Sequence, residues 1–195
     1  LSGKSEIKPA SFFPFGYQYS IPLDKWNIAD QAADYLYVGN NEVKFEIPGT
    51  LGVIMDEKSW HKQVDKPRVY PLQSVASFMD AGELSHTINF IAASDTDLYN
   101  AEFIAHLKNS KHSVLILETT NEHAMPAIRR AFIELINGEC DVPVVIKRKY
   151  GELDLERFRI YASTDAGGLL IDGMGDGIWI GSDLVDARTT NSLSF

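Results

Sequence analysis

The alternation of apolar and polar positions divides the chain into two stretches of unequal regularity. From Ser74 onward, short apolar runs alternate with amphipathic segments. Residues 75–81 read as a short helix ended by Gly82, and residues 86–92 (HTINFIA) as a strand. Ser94-Asp95-Thr96-Asp97 reads as the cap of a helix with Tyr99, Phe103, Ile104 and Leu107 on one face. Residues 113–117 (SVLIL) predict a strand. Residues 125–136 predict a helix with apolar Ile128, Phe132, Ile133, Leu135 and Ile136, closed by Gly138. A strand over 142–146 and a helix over 153–162, with Leu155, Phe158 and Ile160 apolar, follow. The tripeptides 169–171 (LLI) and 178–180 (IWI) are each bounded by glycines and read as short buried strands. Asp172-Gly173-Met174-Gly175-Asp176-Gly177 is then an acidic loop between two strands, with glycines able to take positive φ.

Before Ser74 the pattern is weaker. Residues 1–10 are polar, broken at Lys8-Pro9, and read as a linker. Residues 11–21 (SFFPFGYQYSI) are aromatic, but Pro14 limits any strand there to an edge or an entry segment. Asp24 is placed to cap a short helix through Trp26, Ile28 and Ala29. Residues 34–39 and 51–55 predict strands, 43–47 (VKFEI) a half-exposed strand, and 56–62 a helical turn carrying Trp60, before a break at Lys66-Pro67.

Strands alternating with helices imply parallel βα units with right-handed crossovers, and uninterrupted apolar strands fit burial on both faces. The expected fold is α/β, with repeated βα units forming a compact or incomplete TIM-barrel-like domain. An open doubly wound parallel sheet is the alternative. Eight full units usually need about 250 residues, and the chain has 195. The expected organisation is a linker over 1–10, one domain over 11–181 and the start of a connection over 182–195.

Charge and cysteine usage narrow the function classes. A net charge of −9 argues against a general nucleic-acid or anionic-membrane surface. No apolar run approaches the roughly 20 residues that span a bilayer, and the first residues are not expected to act as a signal peptide. Cys140 is the only cysteine, so neither an internal disulfide nor an all-cysteine metal site is expected, and a reducing compartment is. His61, His86, His106, His112 and His123 lack metal-ligand spacing. The Asp172–Asp176 loop lacks the third acidic position and the distal glutamate of a calcium loop. Candidate chemistry therefore lies at expected strand ends: Asp95 beside Ser94, Glu118 beside Thr119, Lys147 beside Arg148, and Asp172 with Asp176. Carboxylates and a lysine could exchange protons if they converge. The same residues also fit helix caps and solvated strand ends.

The run YASTDAGGLLIDGMGDGIWI, beginning at Tyr161, and the following RTTNSLSF, beginning at Arg188, resemble the end of the insert domain in the large, three-domain form of hydroxymethylbutenyl diphosphate synthase. This is the iron–sulfur enzyme of the methylerythritol phosphate pathway. The resemblance implies a parent with an N-terminal catalytic barrel that binds the cyclic diphosphate. It also implies a C-terminal domain that holds a 4Fe-4S cluster through three cysteines and a glutamate, its Cys-Pro-x-Cys-Gly segment lying beyond this sequence. Gly173-x-Gly175-Asp176 is similar to a Gly-Ile-Gly-Asp segment of the catalytic barrel, which implies an insert that arose by duplication.

On this resemblance the chain is a non-catalytic spacer. It carries no catalytic, cofactor-binding or metal residue of its own, and its partners are the other two domains of its parent. The parent opens methylerythritol cyclodiphosphate reductively, in the bacterial cytoplasm or a plant plastid. The start without Met and the end at Phe195 are expected of a piece of a longer chain. A stand-alone small barrel enzyme acting on a phosphorylated or sugar-like substrate is the rival. It lacks the expected glycine-rich phosphate loop. A plain interaction module is the third reading.

Overall fold

The computed structural model describes residues 1, 6–63 and 67–194. Part of the linker expected over 1–10, the break at Lys66 and the final Phe195 fall outside them. The chain divides into two compact units: residues 1–72 with 187–195, and residues 73–186.

In the first unit a 3₁₀ turn, Pro9–Phe15, leads into the antiparallel pair β1 (Tyr17–Ser20) and β2 (Lys25–Ile28). Three parallel strands follow: β3 (Tyr35–Gly39), β4 (Gly52–Asp56) and β5 (Val69–Ser74), with the short helix α1 (Glu57–Trp60) between the last two. Phe12, Tyr17, Leu36, Val38, Leu51 and Val53 form the core. The Tyr17 hydroxyl donates to the Ala33 carbonyl at 2.7 Å. Residues near the chain end, expected as a connection, fold with this unit. There the Arg188 guanidinium lies over the Phe13 ring at 5.8 Å, and the Asn191 amide donates to the Gln31 carbonyl.

Two expected elements here are corrected. Asp24 caps no helix: it takes left-handed geometry (φ 47°) after the turn Ile21–Leu23, and Trp26 enters β2 opposite Tyr19. Bulky aromatics on a pleated pair outweigh the capping potential of one aspartate. Residues 43–47 form no strand. Their alternation is still visible as burial of Val43 and Ile47. The carbonyls, however, are met by side chains: Trp26 Nε1 donates to Glu46 O and Arg68 Nη2 to Ile47 O.

The second unit contains α2 (Val75–Ala81), β6 (Asn89–Ser94), α3 (Ala101–Asn109), β7 (Ser113–Glu118), α4 (Ala124–Asn137), β8 (Val144–Tyr150), α5 (Leu155–Ala162), α6 (Gly168–Ile171) and β9 (Gly177–Ser182). Helix α7 (Ala187–Ser192) belongs to the first unit. Strands β6 to β9 pair in parallel and in chain order. So do β3 to β5 in theirs. Order that never reverses is that of a barrel and not of a doubly wound sheet. The fold is thus α/β of the incomplete, barrel-like kind. Ile91, Leu115, Leu117 and Ile146 face Phe103, Ile128, Phe132 and Leu169 to make the core.

Strand β6 starts three residues later than expected. The fully buried Asn89 side chain accepts from the Leu84 and Ser85 amides and donates to the Ser85 carbonyl, which ties residues 84–88 into a loop. The cap at Ser94 is present, but it opens a 3₁₀ turn, Asp95–Tyr99, and Asn100 caps α3 separately. Tyr99 consequently lies exposed, with Arg130 over its ring.

The largest correction concerns residues 169–171. They are helical, not a strand. Helix α5 runs through a π-helical turn, Ser163–Gly167, directly into α6. Phe158, Ala162, Asp165, Ala166 and Leu169 are buried, a stripe of helical period. Tertiary packing of that stripe overrides a glycine cost of about 1 kcal/mol per residue. Among the described residues no helix is long and apolar enough to cross a membrane.

Candidate functional site

The parallel register of the second unit builds one polar row across four strands. Ser94 pairs with Glu118, Glu118 with Lys147, and Lys147 with Trp179. Residues in register on adjacent strands project to the same face. Two of the expected strand-end residues therefore meet: Lys147 Nζ lies 2.7 Å from Glu118 Oε2. The same ammonium sits 5.1 Å from the Trp179 ring centroid. Glu118 is about half exposed and Lys147 less so, and a pair of that exposure contributes only about 0–1 kcal/mol. Asp95 lies just beyond Ser94, buried in the first turn of the Asp95–Tyr99 segment. Ser94 accepts from the Asp97 amide, and its own amide donates to the Asp97 carboxylate.

Asp172 and Asp176 do not join this row. Asp176 immediately precedes β9, at the opposite, N-terminal edge of the sheet. Its amide donates to Val144 O at 2.8 Å, and its Oδ2 accepts from Val144 N at 2.8 Å. It thus clasps the start of β8. Asp172 ends α6 and is paired with Arg129 of α4.

The remaining strand-end pair, Thr119 and Arg148, belongs to a buried network on the core side of the sheet. Arg148 Nε lies 3.1 Å from Asp165 Oδ2, and Arg148 Nη1 donates to Thr119 O at 2.8 Å. Tyr150 Oη donates to the same Asp165 oxygen at 3.0 Å. Burial and the Asp165 carboxylate push the Tyr150 phenol well above its ordinary value. Asp165 sits in the π-helical turn, and the extra residue of that turn brings its carboxylate to the sheet while Ala166 stays in the core. A shallow cavity of about 240 Å³ opens beside it, lined by Met125, Ile160, Tyr161 and Thr164 among others. Neither Asp165 nor Trp179 is apparent as a site residue from spacing. The one sequence signal for Asp165 is its place on the buried stripe of a helical period.

The first unit has a separate cavity of about 210 Å³, lined by Asp34, Tyr35, Thr50, Leu51, Gly52, Arg68 and Tyr70. Gly52 leaves room there for the Tyr35 ring, whose nearest atom would stand 2.4 Å from a Cβ. Among the described residues no three His, Cys, Asp or Glu side chains gather as metal ligands would. Burial raises the Cys140 thiol above its usual value.

These features define a barrel-like α/β domain whose strand-end polar groups are mostly paired with one another. No family model matches the chain, and no solved structure does. Curated relatives do match. The chain is 26% identical over 162 residues to the 4-hydroxy-3-methylbut-2-en-1-yl diphosphate synthase (flavodoxin) of Parabacteroides distasonis, covering 83% of this chain and 26% of the relative. The enzyme of the same name from Phocaeicola vulgatus is 29% identical over 155 residues, 75% of this chain and 23% of the relative. That from Porphyromonas gingivalis is 32% identical over 83 residues, 43% and 14%. The chain is thus similar over most of its length to proteins named as hydroxymethylbutenyl diphosphate synthases. It spans about a quarter of the length of the first two.

Proposed function

We propose that this chain is the insert domain of a hydroxymethylbutenyl diphosphate synthase, a non-catalytic spacer between the parent's catalytic barrel and its iron–sulfur domain. The parent converts methylerythritol cyclodiphosphate to hydroxymethylbutenyl diphosphate by two-electron reduction in isoprenoid precursor synthesis. It works in the cytoplasm, with flavodoxin, named for the relatives, as electron donor. The observation that carries the reading is the match of most of this chain to about a quarter of each longer synthase.

The residues present do not fit the cluster. A 4Fe-4S centre is held by thiolates, and the single Cys140 is buried in apolar surroundings behind α4. On this reading the cluster is held elsewhere in the parent. Its paired polar groups support a structural role: Glu118 and Lys147 neutralise each other, Asp172 and Asp176 are engaged by Arg129 and Val144, and Arg148 is tied to Asp165.

Anaerobic turnover of methylerythritol cyclodiphosphate by the full-length protein, reduced with dithionite or flavodoxin, tests the reading. Stoichiometric cluster and steady product formation are expected. A full-length, cluster-loaded protein that forms no product would sink it.

A further inference from the structure

The start of α4 and the π-helical turn each leave a polar group without a partner, and both line the same cavity. Helix α4 begins after His123, whose side chain caps nothing, and its third residue, Pro126, has no N–H. Among the described residues the amides of Ala124 and Met125 donate to no protein acceptor. Ala124 is only 1% exposed, and a buried amide without an acceptor is rare. Asp165 supplies the complementary group. It is 7% exposed, and its two bonds, from Arg148 and Tyr150, both go to Oδ2. Oδ1 accepts from no described protein group, yet it is not sealed in. Ala124, Met125 and Asp165 all line the cavity of about 240 Å³, whose remaining wall includes Ile160 and Tyr161. Those two are large, apolar and more than half exposed. π-Helical turns recur at functional sites. The C-terminal ends of β7 and β8, which bring Thr119 and Arg148 to this network, are where barrel folds bind ligands.

We propose that this cavity binds a free α-amino acid with an aliphatic side chain, its carboxylate on the α4 amides and its ammonium on Asp165 Oδ1. The unbonded amides at a helix N-terminus favour a negative group. The Asp165 carboxylate, with the exposed Glu122 lining the same cavity, favours a positive one. The two demands have opposite signs, so one zwitterion meets both. A phosphate ester fits poorly: no lysine or arginine lines the cavity, and a dianion would face two carboxylates. The volume equals about eight waters' share of the liquid, which suits a single small molecule. The ligand's side chain lies against Met125, Ile160 and Tyr161, where it covers apolar surface that is otherwise wet. The proposal is independent of the synthase reading, and turnover is not its readout.

Calorimetry and amide hydrogen exchange on the full-length protein, with L-leucine as the probe, test this. Leucine should bind at one saturable site and slow exchange at the Ala124 and Met125 amides. Isocaproate, which lacks the ammonium, and isoamylamine, which lacks the carboxylate, should each bind about tenfold more weakly, the loss of one charged hydrogen bond. Ala124→Pro removes one of the two amides at a helix position that accepts proline, and it should weaken leucine binding by about the same factor. Asp165→Asn should do likewise. No binding at about 10 mM leucine, ten times a millimolar Kd, overturns the proposal. So does binding that leaves exchange at Ala124 and Met125 unchanged, which puts the leucine elsewhere in the protein. Isocaproate bound as tightly as leucine also overturns it, because the site then takes any carboxylate. Should either variant fail to fold, the exchange and the two analogues decide on the unaltered protein. A protein that binds leucine in this way but lacks synthase activity refutes the proposed function alone, and an active synthase that ignores leucine refutes this proposal alone.

Discussion

Two residues of the glycine loop show how one backbone conformation sets a requirement. Gly175 has φ 105°, and a Cβ there would stand 3.0 Å from Ile146 Cδ1 in the core. Gly175→Val is therefore expected to lower stability by about 1–3 kcal/mol, from backbone strain and crowding together. Asp176→Ala leaves the Val144 amide without its 2.8 Å acceptor and should cost about 1–2 kcal/mol. Asp176→Asn keeps an acceptor and should cost less. Urea denaturation midpoints of the three variants separate these outcomes, and equal shifts for all three would mean the loop is no clasp. Tyr150 supplies a pH signature. Its folded-state value is raised from 10.0, by burial first and then by Asp165. A raised value means that its stabilising contribution is complete below the unfolded value and is lost as pH rises above it. Stability should hold to about pH 10 and fall beyond it, more steeply than in Tyr150→Phe, where no phenol titrates at that position. Thermal melts at pH 8 and pH 11 compare the two.

At the scale of elements, the regular half was legible because its strands are uninterrupted apolar runs between capped helices. β7 and α4 lie where residues 113–136 place them, with ends shifted by one residue, and β8 starts two residues later than expected and runs four further, to Tyr150. Failures came where two kinds of signal compete. Gly167 and Gly168 read as strand punctuation, yet both sit in ordinary helical geometry with open space around them. Only the burial stripe from Phe158 to Leu169 reveals this. The alternation at residues 43–47 correctly predicted which side chains are buried. It could not show that no neighbouring strand offers a ladder. The polar row was half legible: Glu118 and Lys147 were marked as strand ends, whereas Trp179 needed the register of β8 against β9. Gly138 is a case where the residue was right and the reason was not. It ends α4 with φ −79°, not in left-handed geometry. What requires glycine is the Ile104 methyl, 2.4 Å from where a Cβ would be. Gly138→Ala should thus cost about 1–3 kcal/mol, and Ile104→Ala, which removes the crowding Cγ2 methyl, should relieve part of that cost. A double-mutant cycle in the denaturation midpoint measures the coupling, and strict additivity would show that the two sites do not touch.

For the whole molecule the question is whether the domain takes part in chemistry or holds other domains in place. The rival enzyme reading has one observation in its favour: a carboxylate and an ammonium 2.7 Å apart on one sheet face, with an indole beside them. That geometry suits proton transfer. It equally suits a paired, neutral surface, and the two readings differ in what removal of charge does. If the domain is a spacer, Glu118→Gln in the full-length protein removes an ion pair of at most about 1 kcal/mol and leaves turnover of methylerythritol cyclodiphosphate within about twofold, a barrier change under about 0.5 kcal/mol. Asp172→Asn, which weakens the link to Arg129, should leave the rate equally unchanged while the cluster content stays full. Deleting the domain should abolish turnover and leave cluster assembly largely intact. The assay is steady-state turnover with an artificial reductant, which removes any effect on flavodoxin docking. A loss on the order of a hundredfold in a folded, cluster-loaded point variant corresponds to about 2.7 kcal/mol of transition-state stabilisation. No solvent-screened structural ion pair supplies that much, so such a loss would place Glu118 or Asp172 in the reaction and end the spacer reading.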